Sequence, residues 1–139
     1  MRDVAWQRVQ EAGVGDRVAL RVAEIPPVPY VDGSFDAVTM SFTLELFPWD
    51  VIPAVLAEVR RVLRSGGRLG IVAMSTTPDG ERDSFLERTY KWMHRHFPHI
   101  VDCQPIDAAR FVEEAGFRVV RRADMTIWTM PVVALVGAC

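Results

Sequence analysis

The chain has little cysteine and no excess of either charge. Two of its 139 residues are cysteine, Cys103 and Cys139. That is too few for a disulfide framework, so a reducing, cytoplasmic setting is expected. Sixteen Lys and Arg stand against eighteen Asp and Glu, for a formal net charge of −2 and a pI near 5.9. Such a balance offers no basic footprint to nucleic acid. Long apolar runs are also missing. The longest, Ile127 to Ala138, is broken by Pro131 and is too short to span a bilayer. The opening MRDVAWQRVQEAG is polar and helical in pattern, unlike a signal peptide. No repeat, linker or low-complexity tract divides residues 1–139, which predicts a single domain.

Half of the residues are hydrophobic and 24% are charged, the composition of a globular chain long enough for one core. A mean hydropathy of +0.11 fits strands buried on both faces. Val4, Val9 and Ala12 mark a helix that stops at Gly13. Val18 to Val22 reads as a short strand. Ile25 to Ser34 is a loop, since Pro26, Pro27 and Pro29 forbid helix and Asp32-Gly33 marks a turn. Phe35 to Met40 is a strand. Trp49 to Leu63 is an amphipathic helix, with Ile52, Val55, Leu56, Val59, Val62 and Leu63 at helical spacing and Pro53 in the first turn. Arg68 to Met74 is a strongly apolar strand. Asp83 to Phe97 and Pro105 to Ala115 read as helices, the second capped by Asp107 and stopped by Gly116. Phe117 to Val120 is a strand, and Met125 to Val136 is a last strand bent at Pro131.

Two segments carry the most information. Ile25 to Leu46 reads IPPVPYVDGSFDAVTMSFTLEL, and Arg60 to Met74 reads RRVLRSGGRLGIVAM. Each is a turn-rich loop feeding an apolar strand, with a helix between them. Parallel α/β sheets that bind a nucleotide-like ligand at their strand ends are built this way. Together the segments resemble the class I S-adenosylmethionine-dependent methyltransferases, in particular the branch related to the ubiquinone and menaquinone methyltransferases. Arg61 to Gly67 is similar to the family's RVL(R/K)PGG turn, with Ser65 in place of the proline. Taken without the resemblance, the same pattern fits a loop and strand of any α/β protein.

The resemblance implies a Rossmann-like three-layer α/β fold, mostly parallel, with an antiparallel last strand and the family's strand order 3-2-1-4-5-7-6. It implies S-adenosylmethionine as cofactor. Ala23 and Glu24 would flank the adenine, and the backbone of Ser41 and Phe42 would lie beside the methionine moiety and the reacting methyl. Where the family carries an acidic residue, this chain has Val22, with Arg21 before it. Phe35 would pack under the sheet and Asp36 would fix the strand's start. Glu45 is the ionisable side chain of the 41–46 turn. It is either a solvated helix residue or a positioned carboxylate that orients a hydroxyl or acts as a base. A dedicated base is not obligatory, because methyl transfer from a sulfonium depends chiefly on in-line placement.

The stretch Tyr90 to His99 is rich in aromatics and histidine. On a helix His94 and His96 stand about 200° apart, so they cannot share a metal, and no metal site is expected. Insertions at this place cover the acceptor in the resembling family, which makes Tyr90 and Trp92 candidate contacts for a small apolar acceptor. They fit equally well as core aromatics.

The resemblance begins late. MRDVAWQRVQEAGVGDRVAL looks like the helix and strand that follow the family's second strand, so the Gly-rich loop and the ribose-binding acid fall before Met1. Gly13-Val14-Gly15 cannot replace that loop, because it follows a helix. The expectation is therefore a truncated methyltransferase fold whose methyl transfer to a small molecule is impaired. Its strand at Val18 to Val22 would lack its usual neighbours, leaving either a rearranged five-strand sheet or an exposed edge open to self-association. The alternative is a non-catalytic remnant or interaction module that pairs with another chain. A nicotinamide-dependent oxidoreductase shares the architecture only, without its phosphate fingerprint.

Overall fold

The computed structural model describes residues 2–75, 105–127 and 130–139. Their centre is a four-stranded sheet: β1 (Phe35–Ser41), β2 (Leu63–Met74), β3 (Arg118–Ile127) and β4 (Met130–Ala138), in the spatial order β1-β2-β4-β3. β1 and β2 run parallel, with Ala37 beside Arg68, Val38 beside Leu69 and Met40 beside Ile71. β4 is antiparallel to both β2 and β3. This is the 4-5-7-6 part of the strand order that the resemblance implied, antiparallel last strand included.

Three α-helices accompany the sheet among the described residues: α1 (Arg2–Glu11), α2 (Ile52–Val62) and α3 (Ala108–Glu114). α2 forms where the apolar spacing predicts it, three residues later than Trp49, with Pro53 in its first turn. Its buried residues Ile52, Val55, Leu56 and Val59 lie against Leu69, Ile71 and Ala73 of β2 and Leu135 of β4. α3 adds Ala108 and Val112 to the same cluster. Asp107 caps α3 as predicted, its Oδ1 accepting from Arg110 N at 3.1 Å. The alternate residues of the central strands, Gly70, Val72, Ala134 and Val136, are only half-buried. Both packed helices thus cover one sheet face.

Three sequence expectations need correction. Val18 to Val22 is not a strand: residues 18–24 are irregular, and Val22 is 82% exposed. A strand persists only where its N–H and C=O groups find a ladder, and no described strand neighbours this segment. The expected five-strand rearrangement is therefore a four-stranded sheet. The C-terminal segment is a hairpin in which β3 extends to Ile127 and pairs with β4, not a short strand followed by a bent one. Pro131 sits one residue inside β4, near the strand start where a missing N–H is tolerated, and its carbonyl accepts from Ser75 N at 2.9 Å. β2 begins at Leu63, before Arg68, because the Ser65-Gly66-Gly67 turn is continuous with the strand.

Candidate functional site

The C-terminal ends of the parallel pair β1 and β2 meet at a short, tightly tied turn. β1 ends at the exposed Ser41. Phe42 follows in the left-handed region, with φ 49°, and is 42% exposed. A bulky residue there is held at a cost of about 1–3 kcal/mol and persists only where its surroundings over-determine it. Here they do. Phe42 N donates to Val72 O at 2.8 Å, Thr43 Oγ1 donates to Ser41 O at 2.9 Å, and Leu46 N donates to Thr43 O at 3.1 Å. Leu44 is fully buried and anchors the turn to the core.

Glu45 is the most unusual member of this turn. It is 1% exposed, so the solvated reading is wrong. Its Oε1 accepts from Met74 N at 3.2 Å, tying the exit of β1 to the last residue of β2. Its Oε2 is sealed from solvent and has no hydrogen-bond partner among the described residues. A buried acceptor left in this state is costly, and such groups concentrate where a ligand or a mechanism uses them. The open end of parallel strands is where α/β folds bind ligands.

Comparison with known proteins decides which α/β family this is. A profile described as "Methyltransferase domain" matches residues 1–71. The chain belongs to this family. It is 24% identical over 131 residues to the sterol 4-C-methyltransferase strm-1 of Caenorhabditis elegans, covering 94% of this chain and 35% of that protein. It is 37% identical over 78 residues to the ubiquinone/menaquinone biosynthesis C-methyltransferase UbiE of a Geobacter species, covering 55% of this chain and 32% of that one. The fold matches the crystal structure of geranyl diphosphate C-methyltransferase from Streptomyces coelicolor with a TM-score of 0.75 at 15% identity, over 99% of this chain and 60% of that one. The methyltransferase chain thus spans about a third of the length of these two curated relatives. Its four strands and α2 are those of the class I S-adenosylmethionine-dependent methyltransferase fold.

Within that fold, Ser41, Phe42 and Glu45 come together at one strand end. Ala23 and Glu24 lie in irregular, exposed chain upstream of the proline loop. Tyr90, Trp92, the histidines at 94, 96 and 99, and Cys103 lie outside the described residues. Phe35 is half-buried against the core, as expected, and its ring meets Tyr30 edge-on at 4.8 Å. Asp36 pairs with Arg64 at 2.8 Å across the turn into β2.

The sequence reading missed one device. It took Arg61 only as part of the turn similar to RVL(R/K)PGG. Arg61 instead holds the proline loop: Nη2 donates to Tyr30 O at 2.9 Å, Nη1 pairs with Asp32, and Nε and Nη2 both reach the Glu58 carboxylate, at 2.8 and 2.7 Å. Glu58 accepts in addition from Val28 N at 2.8 Å. The Arg61 guanidinium, with that amide, holds the Glu58 carboxyl down to about 2. An acid three residues before an arginine on the predicted helix, after a proline loop with no partner of its own, was the available signal.

Proposed function

We propose that this chain carries the S-adenosylmethionine- and acceptor-facing portion of a methyltransferase acting on a small apolar molecule. The observation that supports it most is the tied turn at Ser41–Glu45, open at the end of the parallel β1–β2 pair. The residues present fit the cofactor there: an exposed backbone stretch at Ser41–Phe42, and beside it a buried carboxylate with one oxygen that has no partner among the described residues. S-adenosylmethionine supplies an electrophilic methyl on a sulfonium. This chain's residues bind and place it, the backbone of Ser41 and Phe42 beside the methionine part and Ala23 and Glu24 beside the adenine. Glu45, held by Met74 N–H, is the carboxylate of this turn that orients the acceptor's hydroxyl or takes its proton. Tyr90 and Trp92 border that acceptor. Residues 1–139 act as one domain in the cytoplasm.

Among the described residues no Gly-rich loop follows a strand, so the chain's grip on the cofactor is weak when it stands alone. Calorimetric titration of the purified chain with S-adenosylhomocysteine tests this. Binding too weak to give a micromolar dissociation constant, and weakened further by Ser41→Trp, is the expected result. A micromolar constant that Ser41→Trp leaves unchanged overturns both the weak grip and the placement.

A further inference from the structure

Glu45 is an acid that the interior of the chain does not answer. It is 1% exposed. It is the only ionisable residue between Asp36 and Asp50, and residues 69–75, the body of β2 and the residue after it, hold none. Its bond to the Met74 amide, at 3.2 Å, joins two places inside the β1–β2 pair. Among the described residues no arginine, lysine or histidine pairs with it, and its Oε2 has no hydrogen-bond partner. A carboxylate taken out of water is costly unless a counter-charge compensates it. One amide N–H is not a counter-charge.

We infer that the buried Glu45 carboxylate is the counter-charge for the sulfonium of S-adenosylmethionine, and that it lets this chain tell the methyl donor from its spent product. The inference rests on the reading above that the cofactor lies against Ser41 and Phe42, the second of them three residues before Glu45. When the acceptor's electron pair takes the methyl, the C–S pair stays on sulfur, and the sulfonium becomes a neutral thioether. S-adenosylhomocysteine therefore keeps the adenine, the ribose and the amino-acid part but loses the attraction to Glu45. That attraction needs no contact, in keeping with the sealed Oε2. At an effective dielectric constant near 20, opposite unit charges about 12 Å apart attract by about 1.4 kcal/mol, which is tenfold in affinity. The effect adds to, and does not require, a contact between Glu45 and the acceptor.

Three ligands separate charge from shape: S-adenosylmethionine, S-adenosylhomocysteine, and sinefungin, which carries an ammonium where the cofactor has its S-methyl. Amide-shift titrations of the isotope-labelled chain measure all three constants even where binding is weak. Wild type is expected to bind both cations about tenfold more tightly than S-adenosylhomocysteine. Glu45→Gln keeps the shape and an acceptor for Met74 N–H but not the charge, and is expected to bring the three constants within about twofold of one another. Asp50→Asn removes an exposed acid five residues on and is expected to leave the preference as it is. Equal constants in wild type, a preference that survives Glu45→Gln, or one that Asp50→Asn abolishes overturns the counter-charge and leaves the cofactor's place standing. No shift at Ser41 and Phe42 with any of the three ligands overturns that place, and the counter-charge with it. If circular dichroism shows that Glu45→Gln has lost the fold, the wild-type and Asp50→Asn constants decide by the same criteria.

Discussion

Gly67 is fixed by what crowds it. A Cβ there would lie 2.8 Å from Arg64 O, 3.1 Å from Leu63 Cδ2 and 3.3 Å from Asp36 O, two of which are backbone atoms that cannot swing away. Its neighbour Gly66 has the other reason to be glycine, a φ of 75°. The pair therefore lets the entry of β2 lie directly against the start of β1, which sets the register of the whole parallel pair. Gly67→Ala is expected to destabilise the chain by about 1–3 kcal/mol through overpacking, read as a lowered Tm or denaturant midpoint. The Gly-Gly turn was legible in the sequence because both glycines follow a helical pattern. Which of the two needs positive φ, and which needs space, was not, since the crowding atoms come from the fold.

At the scale of elements, α2 was the most legible part, because six apolar residues at helical spacing leave one solution for its buried face. The segment at Val18–Val22 misled for the opposite reason. Alternating apolar residues specify a strand only if a neighbour accepts its hydrogen bonds, and sequence pattern is silent on neighbours. Glu45 was illegible likewise: Met74, which binds it, is 29 residues away. α2 does more than fill the core, since Glu58 and Arg61 fasten the 28–32 loop to it. The Glu58 carboxyl sits at about 2, below its ordinary 4.5. A depressed carboxyl contributes stability that is fully present above pH 4.5 and is lost as the pH falls toward 2. Glu58→Gln lacks that contribution at every pH. The Tm difference between wild type and Glu58→Gln, followed from pH 6 to pH 2, is therefore expected to shrink across this window. A difference that stays constant contradicts the tie.

On the scale of the whole molecule, the order β1-β2-β4-β3 and the parallel β1–β2 pairing were readable from two loop-strand segments and the family they resemble. The place of Ser41 and Phe42 beyond the Phe35–Met40 strand was read from them too; that the Glu45 carboxylate beside them is sealed in and tied to the end of β2 was not. The central claim is that the end of β1 grips the methyl donor. Amide chemical shifts of the isotope-labelled chain during titration with S-adenosylhomocysteine test it most directly, because they report weak binding residue by residue. The account predicts concentration-dependent shifts concentrated at Ser41, Phe42 and the adjoining end of β2, with a second group at Ala23 and Glu24. Shifts that cluster elsewhere, with those amides unmoved, would contradict it.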